Sequence, residues 1–293
     1  MRTTLLVIFV FLVVAFVFAE DEISRRIWPE QYSNASGTQQ APAAPANTAA
    51  KPNPTYTVAT PDISVQNVAP DTVVGITLWR LEPATAASQV TIPVQTGASK
   101  TTPYSPVRVE SDAKLSKGDF VRISIEASRD GYMYVIDREV YADGSQGDPY
   151  LIFPTTRLLN GNNQTKRGKV IEIPAQQDNP PYLTLTPSRN DQVAELLSIL
   201  VTPVPLSNLQ IGSSEVKLSR QQVAEWEKTW GKTNGRLEMK NGSGQSYTNV
   251  EKEAGTGSRL LKHDDPSPQT VFYNPMAKNG DPTFVNVTLR YSK

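Results

Sequence analysis

Across residues 120–205 apolar and polar positions alternate with the two-residue period of β-strands. Val121, Ile123, Ile125 and Ala127 interleave with Arg122, Ser124 and Glu126, which predicts a strand with one buried face. Ser128-Arg129-Asp130-Gly131 follows, and Asp-Gly predicts a hairpin turn because glycine tolerates positive φ. Residues 132–136 are apolar or aromatic on both faces and predict a central strand covered on both sides. Ala142-Asp143-Gly144-Ser145 reads as a second turn. Residues 150–153, 170–173 and 182–186 predict short strands, each closed by a proline (Pro154, Pro174, Pro187) that cannot donate to a ladder. Residues 190–197 have helical spacing, with Val193, Leu196 and Leu197 on one face. Residues 198–202 return to a strand that ends at Pro203.

Outside this block, residues 73–81 predict the first strand. Residues 284–291 echo it at the far end, with Val285, Val287, Leu289 and Tyr291 on one face. The likeness of Ile76-Thr77-Leu78 to Val287-Thr288-Leu289 leads to the expectation that both ends share one sheet as neighbours. Between them, residues 82–116 read as loop, being rich in Thr, Ser, Ala and Pro. Residues 216–230 predict a helix: Ser219 and Gln222 form a capping pattern, Val223, Trp226 and Trp230 make a stripe, and Gly231 ends it. Such a stripe predicts docking on the body. Residues 235–267 read as a long polar, glycine-rich loop. The sum is a mainly β protein, a β-sandwich-like single body with one or two short α-helices.

A positive head, Met1-Arg2, precedes an apolar stretch ending Val17-Phe18-Ala19, before the acidic Glu20-Asp21-Glu22. This order predicts a signal peptide over residues 1–19, cleaved after Ala19. The alternative is an uncleaved anchor, because the stretch sits at the lower length limit for spanning. Residues 20–66, with their Ala, Pro, Asn, Thr and Gln, predict a disordered linker, and residues 67–293 the folded body. The expected place of that body is exported: periplasmic, cell-envelope or secreted.

Composition narrows the chemistry. The chain of 293 residues has 29 lysines plus arginines against 29 acidic residues, so no basic footprint for nucleic acid is expected. With no cysteine and a single histidine, a cysteine nucleophile, a disulfide framework and the usual zinc sites are excluded. His263-Asp264-Asp265 lacks a companion nucleophile elbow and reads as solvated loop. Asp137, Glu139, Asp143 and Asp148 form the densest carboxylate group, able in principle to bind calcium or cleave glycosides. The calcium-loop pattern fails, since Tyr141 and Tyr150 stand where oxygen-rich ligands belong, so the group reads as turn charges. Tyr132, Tyr134, Tyr141, Tyr150, Phe153 and Tyr182 are either sheet core or a stacking platform. Tyr141 and Tyr150, flanking the turn, are the pair expected to be exposed. With Asp143 they make the candidate binding surface. No catalytic residue, cofactor or metal ligand is assigned.

Several blocks also resemble a known family. Leu115-Ser116-Lys117-Gly118-Asp119, Asp130-Gly131-Tyr132-Met133-Tyr134-Val135, Leu151-Ile152-Phe153-Pro154, Val170-Ile171-Glu172-Ile173-Pro174 and Val201-Thr202-Pro203-Val204-Pro205-Leu206 recur in order. They resemble the bacterial domain of unknown function catalogued as number 4384, over residues 115–206. The strand Thr77-Leu78-Trp79-Arg80-Leu81 is similar to what precedes this domain in exported, acidobacterial-type proteins. The resemblance implies an accessory sensing or binding role and supplies no functional residues. The expectation is therefore a non-catalytic cell-envelope module that binds an envelope protein or polymer. It would touch the membrane only through residues 1–19, if these remain uncleaved. A hydrolase using Asp137 and Asp143, or a purely structural spacer, is the alternative.

Overall fold

The computed structural model describes residues 55–58, 70–207, 209–231, 235–240, 242–262 and 265–292. The predicted signal segment and most of the predicted linker lie outside them, as do His263 and Asp264. Two β-sheets pack face to face, and each carries one short helix on its outer side.

The first sheet is built around β2 (Val74–Pro83). One edge of β2 pairs along its length with β6 (Phe120–Ala127). The other edge is shared, by β15 (Thr270–Tyr273) and then by β4 (Lys100–Val109). β3 (Ile92–Gly97) extends the sheet beyond β4, while β14 (Gly235–Lys240) and β1 (Thr55–Val58) extend it beyond β15. β10 (Val170–Ile173) and β11 (Leu183–Thr184) complete the far side of β6. β1 falls within the span 20–66 read as linker.

The second sheet runs β13 (Val216–Lys217), β8 (Tyr150–Phe153), β7 (Gly131–Tyr141), β12 (Gln192–Thr202), β16 (Thr283–Tyr291), β5 (Lys114–Leu115). β9 (Gln164–Thr165) pairs with the start of β7, and only the short β16–β5 contact is parallel among the described pairs. Leu78, Val121, Ile123 and Ile125 from one sheet meet Met133, Val135, Ile199, Val285 and Val287 from the other in the main core.

Several sequence expectations need correction. The segment after β6 is not a hairpin: β6 and β7 pair with different strands, so residues 128–130 carry the chain from one sheet to the other. Gly131 is not at a positive φ; a Cβ there would lie 2.3 Å from the Thr202 carbonyl oxygen. Glycine is needed for close approach at the crossing. The second face of β6 is also covered. Arg122 pairs with Glu172 at 2.9 Å, and the Trp79 indole donates to Ser124 at 2.8 Å, both buried.

Residues 190–197 are strand rather than helix, the first half of β12, with a register shift between Gln192 and Ala194. Residues 82–116 hold three strands, and residues 235–267 hold β14 and a helix. The two chain ends lie in opposite sheets and meet across the core instead of pairing.

Helix α1 (Arg220–Trp230) starts where Ser219 accepts from the Gln222 N–H, and Gly231 ends it. It seats Val223, Trp226 and Trp230 against Tyr134, Ile136, Leu200 and Phe284 on the outer face of the second sheet. Helix α2 (Asn249–Gly255) opens with a full capping box between Thr248 and Glu251. It covers the first sheet, where Tyr247 is buried edge-on against Trp79 at 4.9 Å. No helix among the described residues is long and apolar enough to cross a membrane.

Candidate functional site

On the inner face of the second sheet the side chains change character along each strand. Met133 and Val135 on β7, and Val201, Ile199 and Leu197 on β12, are core. The next inner positions on the same strands are Asp137, Glu139 and Glu195. Strand register fixes this meeting: Leu197 lies opposite Asp137, and Glu195 opposite Glu139. Cross-strand partners share a sheet face, so the carboxyl groups converge at one end of the sandwich. Leu289 on β16 pairs with Glu195, and Tyr291 follows it.

The sheets part at this end and leave a cleft of about 340 Å³. Val121, Ile173, Leu183 and Leu185 wall it from the first sheet side. Ile152, Leu197 and Leu289 wall it from the second, where Asp137 and Glu195 also line it. Two loops frame the mouth: one brings Thr155, Arg157 and Leu158, the other Ser213 and Glu215. They are tied by the Thr156 N–H donating to the Gly212 carbonyl at 2.8 Å.

Glu195 Oε1 accepts from the Tyr291 hydroxyl at 2.8 Å and from Gln192 Nε2 at 2.6 Å. Glu139 accepts from the Tyr141 hydroxyl. Asp137 Oδ1 and Glu195 Oε2 are buried and meet no ordinary donor. The two carboxyl groups lie on adjacent strands, close enough for each to feel the other's charge. Burial, and then the charges of Glu195 and Glu139, push the Asp137 carboxyl up to about 8. Burial also raises Glu195. With its carboxyl held up to about 8, Asp137 keeps its proton at neutral pH. Two like charges in contact cannot both ionise cheaply.

No lysine or arginine among the described residues forms an ion pair with Asp137, Glu139 or Glu195. The contrast with other sheltered carboxylates is sharp. Glu172 pairs with Arg122, Glu251 with Arg108, Glu227 with Arg138 and Asp265 with Arg259. No group of three His, Cys, Asp or Glu side chains among the described residues is placed to hold a metal ion.

The three surface candidates from sequence do not form one surface. Tyr141 was expected to be exposed and is buried: only 8 % is accessible, its hydroxyl serves Glu139, and the Arg189 guanidinium lies 4.0 Å from its ring centre. Asp143 is exposed but occupied, accepting from the Ser145 hydroxyl at 2.6 Å and N–H at 2.9 Å. Those bonds hold its carboxyl below the usual range. They cap the turn in which Gly144 takes φ +83°. Tyr150 is exposed at 38 % and lies opposite Asp137 on β8. The wider aromatic set is dispersed, with Tyr134 under α1, Phe153 in the main core and Tyr182 in a separate cluster on the first sheet.

The four acids grouped by sequence are likewise separated. Asp148 is bound by Lys217 and by Arg220, the latter at 2.6 Å. Asp137 and Glu139 do converge, but their partner is Glu195. Glu195 was missed because it follows Val193 and Ala194 in a stretch read as helix. Alternation of Glu195 with Leu196, Leu197 and Ser198 gave no two-residue signal. The fold and site define a two-sheet β-sandwich with an acid-floored cleft between its sheets. Compared with known proteins, the chain matches no family model, no curated protein and no solved structure.

Proposed function

We propose that the chain is an exported, non-catalytic module of the bacterial cell envelope that binds an envelope protein or polymer, and that the inter-sheet cleft is where it binds. The observation that carries the cleft is its combination of apolar walls and a half-buried carboxyl pair to which no ion pair is formed among the described residues. Clefts with apolar walls and a few convergent polar groups are the usual form of a ligand site, and perturbed carboxyl groups concentrate where function does. Export rests on the signal-like pattern of residues 1–19. The accessory binding role rests on the resemblance to the domain of unknown function.

Thr184 gives the test, because it lines the cleft yet is exposed, so enlarging it fills space without disturbing the core. Thr184→Trp is expected to lower retention of the full-length chain on sedimented envelope polymers and in cross-linked envelope extract by at least tenfold, with melting unchanged. Undiminished retention removes the cleft from consideration.

One observation favours a second reading. A carboxylic acid beside a carboxylate is the pairing that general acid–base hydrolysis uses. It would act through Asp137 and Glu195, since Asp143 lies in a capped turn away from the cleft. In the same incubations this reading requires soluble fragments to be released, and their release to stop in Asp137→Asn.

A further inference from the structure

We propose that the cleft takes an organic cation, a primary ammonium group on an apolar stem, with the ammonium seated between Asp137 and Glu195. This rests on the reading of the cleft as the binding site and names the ligand chemistry.

Charge is the first ground. Glu172, Glu251 and Asp265 pair with arginines elsewhere in the fold, whereas among the described residues no ion pair reaches Asp137 or Glu195 in the cleft. There Glu195 accepts from the Tyr291 hydroxyl and Gln192, and neighbouring Glu139 accepts from Tyr141. Burying a carboxylate without a counter-charge is costly, so a cation delivered from solution gains the interaction the fold leaves unmade. Acceptor count is the second ground. Asp137 Oδ1 and Glu195 Oε2 have no ordinary donor, and an ammonium supplies three N–H groups from one compact centre. A metal ion would need a ligand group that the described residues do not provide.

The walls define the rest of the ligand. Val121, Ile173 and Leu183 face Ile152, Leu197 and Leu289, and the volume of about 340 Å³ suits a small aliphatic body. At the mouth Arg157 and Glu215 are both exposed and opposite in sign, so the floor decides the preferred charge.

Binding must move a proton. In the free protein Asp137 is protonated at neutral pH, since burial and its acidic neighbours hold it up to about 8. When the ammonium enters, the Asp137 O–H bond breaks and the proton leaves to the buffer. N–H donors of the ligand then bridge the two carboxylates. The groups facing this exchange are Glu139 with Tyr141 behind it on β7, Gln192 and Glu195 on β12, and Tyr291 on β16. Arg157 and Glu215 face it from the loops. The first sheet contributes only apolar side chains and threonines to the lining. Affinity therefore rises about tenfold per pH unit up to about 8 and levels off above it.

The experiment titrates the full-length chain with n-hexylammonium chloride, n-hexanol and sodium hexanoate at pH 6 and pH 8, followed by NMR. Hexylammonium is expected to bind at least tenfold tighter than hexanol at pH 8 and roughly a hundredfold weaker at pH 6, with hexanoate weakest. Glu195→Gln is expected to weaken hexylammonium at least tenfold. Thr184→Trp, which leaves every acid in place, is expected to abolish its binding. Equal affinity for hexanol and hexylammonium, equal affinity at both pH values, or binding that survives Thr184→Trp overturns the proposal. Envelope retention that still depends on Thr184 would then leave the cleft as a binding site for an uncharged ligand. Loss of both results removes the cleft altogether.

Discussion

Asp137 shows how one residue's environment becomes a property of the whole protein. Its carboxyl sits near 8 when folded, because of burial and then the Glu195 and Glu139 charges, against an ordinary value of 3.8. The folded state thus holds a proton that the unfolded chain has already lost across that interval. Its contribution to stability falls as pH rises from about 4 to about 8 and flattens above, the reverse of an ion-paired aspartate. Asp137→Asn keeps a donor to Glu195 and removes the titration. Its advantage in Tm over the unaltered chain should be larger at pH 8 than at pH 5 by roughly 8–16 °C, on the order of 4 kcal/mol. Thermal melts at the two pH values decide it. Parallel behaviour of both chains would show that Asp137 is not held protonated. A stabilising substitution at this position is also what a site kept for binding predicts, since functional groups are often retained against stability.

At the scale of elements, the instructive cases are the two ends of β7. Where β7 begins, Gly131 passes so close to β12 that a side chain would overlap the Thr202 carbonyl. Gly131→Ala is expected to destabilise by about 1–3 kcal/mol, as overpacking does, because backbone must move on one strand or the other. Denaturant unfolding with a midpoint equal to that of the unaltered chain would refute the tight crossing. The Asp-Gly pair read as a hairpin because local turn chemistry cannot say whether two strands pair with each other or with others. A similar limit hid β12. Nearly all of it is buried, with Leu196 and Leu200 facing α1's side of the sheet while Leu197 and Ile199 face the core. A strand covered on both faces loses its two-residue signal, and a bulge at its start supplies helical spacing instead. β3 and β4 were hidden by threonines and prolines, with Pro93 opposite Pro103, where the strands need few donors. The short strands at 150–153 and 170–173, the central β7 and the capped α1 were legible because alternation, proline and capping residues agree there. Of the site, Asp137 and Glu139 were visible as acids, but Glu195 joins them only through the β7–β12 register, which no local pattern records.

For the whole molecule, the question is what binds the two sheets into one body. β2 near the start of the body and β16 at its end lie in opposite sheets. Ile76 and Leu78 meet Val285, Val287 and Leu289 within the same core. β16 also pairs with β12 from Ala194 to Val201, lends Phe284 to the seat of α1, and brings Leu289 and Tyr291 to the cleft. Truncation after Asn279 therefore strips one wall of the core, exposes the edge of β12 and removes the hydroxyl that holds Glu195. Losing four large buried side chains together costs on the order of 10 kcal/mol, comparable to the entire stability of a typical domain. The truncated chain is expected to show no cooperative unfolding transition in calorimetry, whereas the full chain gives a single one. A cooperative melt in the truncated chain would mean that the sheets hold together without β16. In that case the acid floor of the cleft would stand on β7 and β12 without β16, and hexylammonium should still bind where they meet.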